Sequence, residues 1–216
     1  MNYKEEVAET IAKYLLEIQA IKLNNANPFT WASGLRSPIY CDNRIALSYP
    51  DKRLYIKKQI SNAIKDNFSN VDVIAGVATA GIPQGALVAD ELGLPFVYIR
   101  SSAKAHGMTN KIEGKLNKGQ TVVVIEDLIS TGKSSLNAVD AIRAAGATVA
   151  GMVAIFTYGL EIATKNFNDK HCKLISLSDY STMIAKAVAD NYVTADEKKS
   201  LLEWSNNPKL WSDNIQ

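Results

Sequence analysis

Val122-Val-Val-Ile-Glu-Asp-Leu-Ile-Ser-Thr-Gly-Lys-Ser134 is the stretch from which the rest of the chain can be read. Four β-branched residues in a row predict a strand buried on both faces, as in parallel sheets. Glu126 and Asp127 follow, and Ser130-Thr131-Gly132 then turns into a segment of helical period. The ligand crevice of a parallel α/β sheet lies at the carboxyl ends of its strands, so the two carboxylates emerge where a substrate would sit. Carboxylates accept hydrogen bonds and sugar hydroxyls donate them. The turn leads into a helix N-terminus, whose unpaired N–H groups and dipole favour a phosphate. A phosphorylated sugar fits this segment. Gly132-Lys133-Ser134 imitates the end of a Walker loop, but position 127 is Asp where that motif requires glycine.

The same alternation extends on both sides. Val71–Ala75, Phe96–Ile99 and Thr148–Phe156 are further β-branched runs beside Val122–Ile125, with a fifth strand expected near Leu174–Leu177. Between them lie segments of helical period. One begins at Pro50 and carries Ile56, Ile60 and Ile64 at spacings of four; others are Pro83–Leu92 and Ser134–Ala145, stopped by Gly93 and Gly146. Thr194-Ala-Asp-Glu197 is a capping box that predicts a final helix running toward Trp204. Strands alternating with helices predict an α/β fold with a parallel sheet flanked by helices. Residues 20–49 and the polar stretch Ser101–Gln120 break the alternation, and long irregular segments of this kind are often functional.

Composition narrows the class. A chain of 216 residues with 47% hydrophobic side chains supports one domain, spanning 1–216. Cys41 and Cys172 form no C-x-x-C pair, which argues against a disulfide framework or a zinc site. The N-terminus mixes charges of both signs without an apolar core, and the uncharged run between Arg143 and Glu161 is punctuated by glycines; a cytoplasmic protein with no membrane partner is expected. A net charge of +2 is too mild for nucleic-acid binding. From Arg100 to Lys118, however, five basic residues stand against Glu113 alone, a local field suited to a small polyanion. There is no G-x-S-x-G nucleophile elbow, so covalent acyl chemistry is not indicated.

Across all of Val122–Ser134 the sequence resembles the phosphoribosyl pyrophosphate (PRPP) motif of the type I phosphoribosyltransferases. Tyr98-Ile-Arg-Ser-Ser-Ala-Lys-Ala-His-Gly107 with Ile112-Glu-Gly114 is similar to the catalytic loop of the orotate-using members. Ile21-Lys22 and Ser33-Gly-Leu-Arg-Ser-Pro-Ile-Tyr40 resemble their orotate-side hood. The resemblance implies a type I phosphoribosyltransferase fold, with a mobile catalytic loop at about 101–120 and a small hood from about 1–48 and the C-terminal segment. It further implies that Glu126 and Asp127 hold the ribose hydroxyls and that Ser130, Thr131, Gly132, Lys133 and Ser134 take the 5-phosphate through backbone amides. Lys104, His106 and Asp127 are then the catalytic residues, with Arg100 and Ser101 beside the pyrophosphate. The implied reaction joins orotate to PRPP and yields orotidine 5'-monophosphate and pyrophosphate, a step of de novo UMP synthesis.

Three departures from the family pattern shift the expected contacts. Ser101 and the Thr79–Ala80 pair stand where many members carry lysines, so backbone amides of Thr79, Ala80 and Gly81 together with Mg²⁺ are expected to supply the missing positive charge. The Mg²⁺ is expected to be held mainly by PRPP, without direct protein ligands. No arginine stands near Thr157-Tyr-Gly159, so orotate contacts are assigned to Lys22, Tyr40 and Cys41. The family resemblance also implies a homodimer whose loops cross between active sites. A purine phosphoribosyltransferase, or a regulator that keeps the PRPP fold to sense nucleotides, is the alternative reading.

Overall fold

The computed structural model of the chain describes residues 3–31, 34–101 and 111–214. In chain order, α1 (Glu5–Glu17) precedes two small antiparallel pairs: β1 (Ile21–Leu23) with β4 (Ile39–Cys41), and between them β2 (Phe29–Thr30) with β3 (Arg36–Ser37). A 3-10 turn, Asn43–Ser48, leads into α2 (Pro50–Asn67). The β/α alternation follows as β5 (Val73–Val77), α3 (Gly81–Leu92), β6 (Phe96–Ile99), β7 (Ile112–Glu113), β8 (Thr121–Ile129), α4 (Lys133–Ala144), β9 (Thr148–Thr157), α5 (Glu161–Asp169) and β10 (Leu174–Asp179). Three helices close the chain: α6 (Tyr180–Ala189), α7 (Ala195–Asn206) and α8 (Pro208–Asn214).

Six strands form one sheet in the order β10-β9-β8-β5-β6-β7, parallel except for β7. All five β-branched runs are strands of it. Their apolar sequences are continuous because both faces are covered, and successive side chains feed opposite layers. Val123, Ile125, Val153 and Ile155 pack in one cluster with Ile11 of α1, Ile60 of α2 and Met183 of α6. Val122, Val124, Met152 and Ala154 pack in the other with Val139 of α4 and Phe167 of α5. Each such fully buried Val or Ile contributes about 1.5–3 kcal/mol relative to exposure.

Several local signals hold. Pro50 opens α2, and Ile56, Ile60 and Ile64 form its buried face. Gly93 caps α3 at φ 64°, a left-handed conformation that favours glycine. Thr194 and Glu197 form the reciprocal capping box of α7. That helix is not the last, because α8 follows it, and the Ser212 hydroxyl accepts the Arg36 N–H at 2.9 Å. Ile112–Glu113 of the polar stretch is a strand rather than loop, paired to Tyr98–Ile99. Among the described residues no helix is long and apolar enough to cross a membrane.

Strand β8 continues three residues beyond Glu126, because Leu128 and Ile129 keep their pairing to Phe156 and Thr157 of β9. Beside it, α3 begins pressed against the sheet. A Cβ on Gly81 would lie 2.5 Å from the Ile125 carbonyl oxygen, and one on Gly76 would lie 2.7 Å from the Gly81 carbonyl oxygen. Only glycine lets this helix start so close to the central strand. Since both obstacles are backbone, Gly81→Ala is expected to lower stability by about 1–3 kcal/mol, read as a lower urea midpoint at unchanged slope. An unchanged midpoint would show that α3 can draw back freely.

Candidate active site

The open end of β8 carries two adjacent carboxylates of unequal burial. Glu126 is only 6% exposed; its Oε1 accepts the Asp127 N–H at 3.0 Å and its Oε2 accepts the Ser135 hydroxyl at 2.8 Å. Burial, then the neighbouring charge of Asp127, pushes the Glu126 carboxyl up to about 8. Asp127 is half-buried, and burial raises it too, against the pull of its hydrogen bonds and of the Arg44 charge. Asn43, 1% exposed, fixes the strand behind the pair. Its amide donates to the Asp127 carbonyl at 2.7 Å and its Oδ1 accepts the Cys41 thiol at 3.4 Å.

Two helix N-termini flank this strand end. Gly132, at φ 75°, caps α4, and Ala80 caps α3, with the Ala78–Thr79 peptide in the cis form. Thr79, Ala80, Glu126, Asp127 and residues 130–135 together line a cleft of about 290 Å³. Backbone N–H groups from two helix ends and two carboxylates thus face one volume, a donor and acceptor set for an anion attached to a polyhydroxylated group.

Two further hollows adjoin that cleft. One, of about 350 Å³, adds Ile99, Arg100, Ser101 and Asn137 to the shared Thr131, Lys133 and Ser134. Arg100 reaches it from the end of β6, with Nη1 3.5 Å from Glu113 on β7. The other, of about 280 Å³, is lined by Thr30, Trp31, Tyr40, Cys41, Leu128, Ser130 and Tyr158. Trp31 and Tyr158 stack at 5.2 Å with 24° between their planes, and Tyr158 meets Trp204 edge-on at 5.6 Å. This hollow suits a flat ring. Burial pushes the Cys41 thiol well up, so it is held as a neutral group.

The residues singled out in the sequence therefore gather around one strand end. Glu126, Asp127, Thr79, Ala80 and Ser130–Ser134 share the first cleft, Arg100 and Ser101 the second hollow, Tyr40 and Cys41 the third. Gly81 stands behind, against β8. Lys22 is exposed, opposite Tyr40 across the β1–β4 ladder, and does not line the aromatic hollow. Lys104 and His106 lie outside the described residues. Sequence reasoning missed Trp31, Leu128, Tyr158, Asn43 and Ser135. Trp31, Asn43, Leu128 and Tyr158 stood in segments already singled out, Tyr158 for lacking an arginine, but none was picked as a contact, and Ser135 lay just past the quoted motif. Among the described residues no three His, Cys, Asp or Glu side chains converge to cage a metal.

Residues 52–189 match the family model of the phosphoribosyl transferase domain. Over 205 residues, 95% of this chain and 98% of the relative, the sequence is 54% identical to the orotate phosphoribosyltransferase of Listeria innocua. It is 55% identical to that of Enterococcus faecalis over 206 residues, again 95% and 98% of the two chains. Among solved structures, orotate phosphoribosyltransferase from Aeropyrum pernix superposes with a TM-score of 0.75 at 27% identity, covering 85% of this chain and 99% of that one. Leishmania donovani UMP synthase gives 0.78 at 26% identity, covering 92% of this chain and 42% of the longer one.

The raised Glu126 carboxyl has a consequence for stability. The folded protein keeps a proton that the unfolded chain gives up above its ordinary value of 4.5, so stability falls as pH rises from there through about 8. Glu126→Gln removes this titration, and the Ser135 hydroxyl can turn to accept from the new amide. Thermal unfolding should show the variant gaining on the native chain as pH is raised from 5.5 to 8.5. Parallel pH profiles would mean that Glu126 is already charged in the fold.

Proposed function

The chain belongs to the orotate phosphoribosyltransferases, and from that premise we propose how its residues carry the reaction. Orotate displaces the pyrophosphate of PRPP at C1 of the ribose, giving orotidine 5'-monophosphate and pyrophosphate, a step of pyrimidine biosynthesis. The observation that carries the site assignment is the meeting of three hollows at the end of β8: anion-binding groups on one side, an aromatic hollow on the other, and a carboxylate pair between. The 5-phosphate sits on the amides of 130–134, the ribose hydroxyls donate to Glu126 and Asp127, and the pyrophosphate lies toward Thr79, Ala80, Arg100 and Ser101. Orotate enters the hollow walled by the stacked Trp31–Tyr158 pair, beside Tyr40 and Cys41; Lys22, which does not line this hollow, is no longer assigned to it.

As the bond between C1 and the pyrophosphate oxygen breaks, its electron pair leaves with the pyrophosphate, and N1 of orotate bonds to C1 as its proton passes to the departing pyrophosphate. Positive charge develops on the sugar. Asp127 stabilises that cation, and the aromatic wall of the hollow holds the base against it. Asp127, half-open, is the group we assign to the reacting carbon of the ribose, while Glu126, already accepting from Ser135 and the backbone, offers its remaining lone pairs to a hydroxyl. Lys104 and His106 are assigned to the departing pyrophosphate. Mg²⁺ fits the donor set as an ion brought by PRPP, since Asp127 is the one half-open carboxylate here; when bound it neutralises the polyphosphate.

The reading is tested by offering orotate, uracil, adenine and hypoxanthine with PRPP and Mg²⁺. Orotate alone should be consumed rapidly, and excess chelator should stop turnover. Faster use of a purine would overturn the base assignment.

We further propose a two-fold dimer in which the Lys104 of one subunit serves the Asp127 of the other. Mixing inactive Lys104→Ala and Asp127→Asn proteins with subunit exchange gives mixed dimers in which one of the two sites is intact. With random exchange, recovery should reach roughly a quarter of native activity. No recovery despite confirmed exchange would place Lys104 in its own subunit's site.

A further inference from the structure

We infer that Asn166 of α5 is a positioning residue for the phosphate loop, holding the Thr131–Gly132 peptide so that its N–H faces the substrate anion. The inference rests on reading Ser130–Ser134 as the 5-phosphate site. A loop that binds an anion through backbone amides must turn its carbonyls away, and each carbonyl then needs a donor elsewhere. The Thr131 carbonyl has one: Asn166 donates to it from Nδ2 at 2.9 Å, across 35 residues of sequence. The peptide that follows Thr131 is trans, the chain's cis bond among the described residues being Ala78–Thr79. In a trans peptide the C=O and N–H point in opposite directions. Tethering the oxygen toward α5 therefore aims the Gly132 N–H away from α5, toward the cleft that Thr131, Gly132, Lys133 and Ser134 line.

This tether matters because Gly132, at φ 75°, has no Cβ on its side of the Thr131–Gly132 peptide to resist a flip. A flipped peptide would present a carbonyl oxygen to the phosphate. The next residue of α5 works in the same direction: the Phe167 ring lies 2.6 Å from where a Gly132 Cβ would stand, which closes the α5 side of the loop. Two consecutive residues of one helix thus back the loop, one by a hydrogen bond and one by packing. Asn166 touches no substrate in this arrangement and acts through Thr131.

Calorimetric titration of the full-length protein with ribose 5-phosphate and, separately, with inorganic pyrophosphate tests the role. Only the first carries a 5-phosphate. Asn166→Ala should fold normally, alanine being the better helix former at a partly exposed position. It should bind ribose 5-phosphate about five- to tenfold more weakly, the worth of one hydrogen bond, with pyrophosphate affinity unchanged. The KM for PRPP should rise accordingly while the KM for orotate stays. Ser134→Asp, which puts a negative charge in the loop itself, serves as the reference lesion. If Ser134→Asp weakens ribose 5-phosphate and Asn166→Ala does not, the positioning role is wrong and the phosphate-loop reading stands. If neither variant changes ribose 5-phosphate binding, the loop reading fails and the inference with it. Equal losses for both probes in Asn166→Ala would also overturn the inference, since they would mark general disruption of the site.

Discussion

Two neighbouring carboxylates on the end of a buried strand cannot both be charged without something nearby to compensate them. That constraint organises the surroundings of Glu126 and Asp127. Ser135 and the Asp127 amide occupy the Glu126 oxygens, Asn43 holds the Asp127 carbonyl, and the Arg44 charge favours an ionised Asp127. None of this makes the pair a source of stability. A Glu pushed far above its ordinary value costs the fold free energy whenever it must ionise. A core optimised for packing would place apolar side chains here, as the preceding Val122–Ile125 do. Polar groups kept at such a cost mark a functional site, and ribose hydroxyls are donors that carboxylates can accept from.

The position of β8 turns this local arrangement into a site for a reaction between two molecules. Because β8 lies between β5 and β9, its end is bordered on one side by the β5–α3 turn and on the other by the β9–α5 connection. The first provides Thr79 and Ala80; the second provides Tyr158. Gly76 and Gly81 allow the α3 N-terminus to reach the level of Ile125 rather than stand off by a side chain. Ser130 and Leu128 line both the cleft and the aromatic hollow, so the two open next to each other beside Asp127.

The parts legible in the sequence are those fixed by local pattern. Each β-branched run became a strand, and Pro50, Gly93 and the Thr194–Glu197 box marked element ends, because strand burial and helix capping are written within a few residues. The polar stretch hid the Ile112–Glu113 strand, which has too few residues to show a period. Residues 20–49 resisted for the same reason, forming pairs of strands only two or three residues long. The aromatic hollow was invisible for a different reason. Trp31 and Tyr158 meet across the fold, and neither residue's neighbours announce the other. Asn43, Ser135 and Asn166 likewise act through single long-range hydrogen bonds, which leave no periodic trace.

With Ser101 and the Thr79–Ala80 pair lining these hollows, the question is how far an anion is held by backbone rather than by side-chain charge. Geometry supplies an answer. A helix N-terminus carries roughly half an elementary charge, and two of them, α3 and α4, border the same cleft. Together they amount to about one positive charge, comparable to a lysine, and they differ from it in being fixed. A lysine must surrender rotamer freedom of up to ~2 kcal/mol to be held on a ligand, whereas backbone N–H groups were ordered when the chain folded. The helix ends can do this only if they are close to the strand end and correctly turned. Gly81 against Ile125 sets the distance for α3, and Asn166 holds the Thr131 carbonyl of the peptide that leads into α4. Backbone N–H groups placed in this way stand beside the Lys133 side chain that lines the same cleft, so the glycine and loop-carbonyl contacts that position them bear on any anion bound there.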